Sequence, residues 1–166
     1  MRGVWLFAIC WLFSVGAWGQ EARGFALEQL NDTLYALTLR TDSTYDRWEL
    51  PYPVYRFSTG DVDGDGSTDA MVGVIKSTRY YQEKERRLFI FKNYQGLVRP
   101  LWLGSKLGGI LEDFRYREGR IRSLERTSDG RYVVAEYRWA HFGMGFERFI
   151  AQNIDREEAI NIFNND

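Results

Sequence analysis

The sequence predicts an all-β fold: an antiparallel meander of about eight or nine short strands, arranged as propeller-like blades, a sandwich or a barrel, with little helix. Three observations lead there. Short runs rich in Val, Ile, Phe, Tyr and Thr recur between clusters of Gly, Asp, Asn and Pro. The stretch Arg131–Trp139 alternates strictly, with Val133, Ala135, Tyr137 and Trp139 on one face and Glu136 and Arg138 on the other. No long amphipathic helical period appears, and no G-x-G-x-x-G follows a strand, so a doubly wound nucleotide-binding sheet is a poor fit.

In chain order, residues 20–32 read as a short helix or an extended entry, and Thr33–Leu39 as a strand. Thr41–Asp46 is a polar turn. Trp48–Phe57 carries Pro51 and Pro53, which suit an edge strand or an irregular lead-in because proline cannot donate to a ladder. Gly60–Asp69 is a loop, Ala70–Ile75 an apolar strand, and Ser77–Arg87 a long polar connection. Leu88–Phe91 is apolar on both faces, as a central strand requires. Gly96 turns the chain into Leu97–Leu103, which Pro100 interrupts, and Gly104–Gly109 is a glycine-rich turn. Phe114 and Tyr116 share a face before the Glu118-Gly119 turn, and Ile121–Arg126 answers them. After Asp129-Gly130 come Arg131–Trp139 and a return over Phe146–Ile150; residues 155–163 form a short helix and 164–166 fray.

Residues 1–19 have the pattern of a secretory signal: Arg2, an apolar run from Val4 to Val15, then Ala17-Trp18-Gly19 with small residues at −3 and −1 of a cut before Gln20. The run is shorter than the roughly 20 residues of a membrane span, and polar Gln20, Glu21 and Arg23 follow it. Cys10 lies inside the apolar run, so it is not placed as a lipoprotein cysteine. Export to the periplasm, the cell surface or the medium is the expectation, with residues 20–166 as a single β-domain and no transmembrane segment after cleavage. Losing Arg2 takes the net charge from −1 to −2, which offers no basic excess for nucleic acid. Residues 20–166 have no cysteine and one histidine, His141, which excludes disulfides, Cys-based zinc sites and multi-His metal sites.

One segment carries chemistry. In Gly60-Asp-Val-Asp-Gly-Asp-Gly-Ser-Thr-Asp69, counted from Asp61, carboxylates fall at positions 1, 3, 5 and 9. Alternate side chains of a tight loop can converge, Ser67 at position 7 can offer its carbonyl, and Asp69 can close the shell. Ca2+ takes six to eight hard oxygens at about 2.3–2.6 Å, whereas Mg2+ keeps its own waters. Without a cation the clustered carboxylates repel one another. The first half fits an EF-hand, but position 12 is Val72 where that motif needs a bidentate Glu, and a strand follows instead of a helix.

Asp61-x-Asp63-x-Asp65-Gly66-x-x-Asp69, followed by Ala70-Met-Val-Gly-Val, resembles the calcium loop of FG-GAP/VCBS-type repeats, the repeats of integrin alpha-subunit propellers; Leu88–Asn93 resembles the next strand of such a repeat. The likeness covers about residues 54–93, roughly a quarter of the chain, and a single such loop is present. It implies a structural Ca2+ held by Asp61, Asp63, Asp65, Asp69 and the Ser67 carbonyl, between two antiparallel strands of an extracytoplasmic protein serving adhesion or ligand binding.

Other features read more plainly. Arginine outnumbers lysine 17 to 4 in residues 20–166, and Arg115, Arg117, Arg120, Arg122, Arg126 and Arg131 crowd one hairpin region. A sheet face with partners such as Glu118, Glu125 and Glu136 accounts for them better than an anion site. Trp139, His141, Phe142, Met144 and Phe146 suit packed-core and strand-end positions better than a pocket. Arg79, Tyr80 and Tyr81 suit either a recognition tip or a loop packed down. The expected role is a non-catalytic binding or accessory module with an unknown protein or glycan partner. The alternatives are a carboxylate-based polysaccharide hydrolase, with Glu112, Asp113, Glu136 and Glu147 available, or a structural subunit of a larger β assembly.

Overall fold

The computed structural model describes residues 23–79, 82–104 and 106–165. The signal reading over residues 1–19, Cys10, Tyr80 and Tyr81 lie outside the described residues. Eleven antiparallel strands form three meander sheets: β1 (Gly24–Asn31), β2 (Leu34–Arg40) and β3 (Tyr45–Leu50); then β4 (Val54–Gly60), β5 (Asp69–Lys76), β6 (Glu85–Tyr94) and β7 (Leu97–Leu103); then β8 (Ile110–Arg117), β9 (Arg120–Arg126), β10 (Tyr132–Ala140) and β11 (Gly143–Ile154), followed by helix α1 (Arg156–Asn164).

Two strands exceed the expected number. The 20–32 segment resolves into the extended alternative as β1, and Trp48–Phe57 splits into β3 and β4, which belong to different sheets. Pro51 and Pro53 occupy the step between them, where no ladder needs their missing N–H. The polar turn ends earlier than expected, because Tyr45 and Asp46 already pair with Arg40 and Leu39. The connection into β6 is shorter, because Glu85–Arg87 pair with Val74–Lys76. Pro100 is accommodated on the edge strand β7, where the register shifts.

The sheets stack, with the β4–β7 sheet in the middle. One of its faces offers Ala70, Val72, Val74, Phe89 and Phe91 to Leu37, Leu39 and Leu50 of the first sheet. The other offers Met71, Leu88 and Ile90 to Leu111, Phe114, Ile121, Ala135 and Tyr137 of the third. That explains why β5 is buried over six consecutive residues: both faces are covered. Thr44 Oγ1 donates to the Gly96 carbonyl (3.0 Å) and the Val98 amide to Asp46 (2.8 Å), which ties the first two sheets together. A bidentate Arg56–Asp113 pair ties the second to the third.

Helix α1 covers the far face of the third sheet, setting Ala159 and Phe163 on Leu124, Tyr132 and Val134. Asp155 caps it by accepting the Glu158 amide (2.9 Å), and Glu157 and Glu158 suit the positive end of its dipole. No helix among the described residues is long and apolar enough to cross a membrane.

Candidate metal centre

The Asp-rich loop joins β4 to β5 in the middle sheet, closed by the Gly60–Asp69 pair. Its sequence dictates its shape. Gly64 and Gly66 take φ of 76° and 84°, a region that strains any other residue. Asp61 accepts the amides of Gly64 (2.8 Å) and Gly66 (3.0 Å), Asp63 that of Asp65 (3.2 Å), and Asp65 that of Ser67 (2.8 Å). Each carboxylate thereby folds back over its own turn.

Three neighbours fix the loop to the body. Val62 is buried in the core between the middle and third sheets. Tyr116 on β8 donates its hydroxyl to the Asp61 carbonyl (2.9 Å), and its ring fills the space where Gly60 lacks a side chain: a Cβ there would lie 2.2 Å from Tyr116 Cε1. Lys92 on β6 places Nζ 2.7 Å from Asp63 and 3.0 Å from Asp65. The lysine holds the Asp65 carboxyl below the usual carboxylate range, and the two aspartates hold the Lys92 ammonium well above its ordinary value.

Carboxylate oxygens of Asp61, Asp63 and Asp65 lie within 4.8 Å of one another, so these three residues could hold a metal ion. Asp69 is not one of the three; it is fully buried at the base of the loop. Its Oδ2 accepts the Val62 amide (2.9 Å), while its Oδ1 has no hydrogen-bond partner among the described residues. Burial, aided by the charges of Asp63 and Asp65 and opposed by the backbone amides of Val62 and Asp63, pushes its pKa up to about 6. A buried carboxylate oxygen without a donor is costly unless something completes it. Ser67 sits at the loop exit with its amide on Asp65.

Sequence reasoning missed Lys92 and Tyr116, which come from other strands. Lys92 left a trace as the lone charge after the apolar run Leu88–Phe91, whereas nothing in the local pattern marks Tyr116.

The remaining candidates disperse. Glu112 pairs with Arg126 and Asp113 with Arg56. Glu136 takes Arg122 and Arg148, and Glu147 takes Arg120 and Arg138. The arginine-rich region is therefore a laced sheet face; Arg115 and Arg122 also reach Asn164 and Asn165 at the C-terminal end of α1. Glu125 differs from the expected partner role, because it opposes Val133 and faces the middle sheet. Of the aromatic group, Trp139 and Met144 pack on the core as expected. Phe142, at the β10–β11 tip, is 88% exposed and Phe146 53%, so part of that cluster faces solvent.

No protein family matches this chain, and no curated protein or solved structure shows a significant likeness to it.

Proposed function

We propose that the protein is an exported, non-catalytic binding or accessory module whose 61–69 loop carries one structural Ca2+. The observation that carries this reading is the convergence of Asp61, Asp63 and Asp65 in a loop whose base holds a buried Asp69 oxygen with no hydrogen-bond partner among the described residues. Asp61, Asp63, Asp65, Asp69 and the Ser67 carbonyl make up the ligand set. All are hard oxygens, and their number on one short loop suits Ca2+ better than the water-retaining Mg2+. Bound Ca2+ would supply charge neutralisation and lock the β4–β5 hairpin against β8. The antiparallel strands flanking the loop agree with the FG-GAP/VCBS resemblance.

The hydrolase alternative has little support. A glycosidase needs one carboxyl with a raised pKa facing a second across the substrate. The raised carboxyl of Asp69 lies buried at the base of the loop. Glu147 is instead pulled down to about 2 by Arg120 and Arg138. For Glu136, burial pushes upward, but Arg148 and Arg122 outweigh it and the net shift is downward. The larger-assembly alternative is weakened by α1, which covers the outer face of the third sheet.

Calorimetric titration tests the metal. Ca2+ is expected to bind with one-to-one stoichiometry, Mg2+ more weakly, and Asp63→Ala to abolish the heat. Equal heats for Asp63→Ala and the parent protein would refute the site.

A further inference from the structure

A cleft of about 820 Å³ lies between residues 106–109 and the inner face of β10–β11, away from the aspartate loop. A cleft of that size falls within the range of small-molecule sites, roughly 300–1,000 Å³. One wall is aromatic by construction. Strand β11 pairs Phe146 with Tyr137, Arg148 with Glu136 and Phe149 with Ala135, so Glu147 is an extra residue in the ladder. That bulge sends Glu147 and Arg148 to the arginine-laced face and both Phe146 and Phe149 to the cleft, although simple alternation would put the two phenylalanines on opposite faces. Their rings stand 4.6 Å apart, inclined at 54°, and Tyr137 meets Phe146 at 5.9 Å and 79°. Both phenylalanines remain about half exposed.

At the floor is Glu125, 2% exposed. Among the described residues its hydrogen-bond donors are neutral: the Ser123 hydroxyl (2.6 Å) and the Gly109 amide. The Tyr137 hydroxyl, which accepts the Gly108 amide (2.9 Å), lines the same cleft. Two other charges of the lining are already matched, Arg126 by Glu112 and Glu85 by Arg87. Lys106, on the loop, is a like charge from which a cationic ligand would have to stand clear.

We propose that this cleft binds an organic ammonium ion with an apolar body, its charge set among Tyr137, Phe146 and Phe149 and directed toward Glu125. Tyr137 and Phe149 each stand inclined to Phe146, and the aromatic wall they form offers ring faces that suit a compact cation. They do not make the flat platform on which a sugar ring stacks. The buried carboxylate, whose hydrogen-bond donors among the described residues are neutral, favours a cation over an anionic ligand of equal shape. An added peptide strand is a poorer occupant, because three register shifts break the regularity of β11. The inference goes beyond the calcium reading and does not depend on it.

The test is a titration of the intact protein with benzyltrimethylammonium, benzyl alcohol and benzoate, read on the methyl resonance of Met144, which lines the cleft. The ammonium is expected to saturate the shift about tenfold more tightly than the alcohol, and benzoate to give none. Phe149→Ala, at a half-exposed position, and Glu125→Gln are each expected to weaken ammonium binding about tenfold, whereas Phe142→Ala, at the hairpin tip, leaves it unchanged. Should Glu125→Gln unseat the loop, Phe149→Ala carries the test alone. Equal affinity for alcohol and ammonium, no Met144 shift at roughly ten millimolar ammonium, or unchanged binding by Phe149→Ala overturns the proposal. Repeating the titration in chelator separates it from the metal site: the Met144 shift is expected to persist.

Discussion

Replacing Gly60 by alanine probes how the aspartate loop is seated. Gly60 ends β4, and its φ lies outside the left-handed region, so alanine suits the backbone there. In isolation the change should stabilise by about 0.4–1 kcal/mol, through the unfolded chain. The structure reverses that sign. An ideal Cβ lies 2.2, 2.5 and 2.6 Å from three atoms of the Tyr116 ring, so the ring must move. Overpacking of this kind costs about 1–3 kcal/mol. The displaced ring also gives up its hydroxyl bond to the Asp61 carbonyl, worth about 0.5–1.5 kcal/mol. The net expectation is a loss of about 2–3 kcal/mol, or roughly 4–12 °C in Tm for a domain of this size. The assay is a double-mutant cycle by urea and thermal unfolding, with Gly60→Ala in the parent and in Tyr116→Ala. Without the ring, alanine at position 60 becomes neutral or mildly stabilising. An equal cost in both backgrounds would refute the seating of the loop on Tyr116.

Other consequences concern the lacing, the cap and the lysine. Glu147 has a folded-state pKa near 2, below its ordinary 4.5, so its contribution to stability is present above about 4.5 and is lost as the pH falls toward 2. Urea midpoints measured from neutral to acid pH should show that loss, and Glu147→Gln should reduce it; identical profiles would count against the Arg120–Glu147–Arg138 lacing. Phe163→Ala removes the buried anchor of α1 and should cost about 3–5 kcal/mol, since a nine-residue helix does not hold without packing. A loss below about 1 kcal/mol would mean that α1 is not docked as described. Lys92→Met should lower stability in chelator, by stripping Asp63 and Asp65 of their counter-charge, yet tighten Ca2+ binding several-fold by removing a like charge from the loop. Weaker Ca2+ binding by this variant would contradict the placement of the ion among those carboxylates.

The fold class was legible because strand formation here follows local pattern. The alternation in Arg131–Trp139 and the two-faced run Leu88–Phe91 became β10 and β6, and the short helix read over residues 155–163 became α1. What sequence could not show was where one sheet ends and the next begins. Pro51 and Pro53 mark that step, but prolines mark an edge strand equally well. The four acids Asp61, Asp63, Asp65 and Asp69 were visible as a spacing, because ligands from one short turn are local in sequence; the first three form the cluster and Asp69 lies buried beneath it. Lys92 and Tyr116 were not visible, since they reach the loop from β6 and β8 through tertiary packing. The bulge at Glu147 was hidden for a related reason: an extra residue in a ladder becomes apparent only against its partner strand, and it decides which face Phe149 takes.

The most direct measurement is the thermal melt of the protein in millimolar Ca2+ and in excess chelator, with Asp63→Ala alongside. At about 100 times its dissociation constant a ligand stabilises by about 2.7 kcal/mol, a rise of roughly 5–10 °C for a domain of this size. That rise is expected for the parent protein, and its loss in Asp63→Ala. Coincident melts of a folded parent protein in Ca2+ and in chelator would contradict the calcium reading, and would leave the 61–69 loop as an acidic turn held by Lys92.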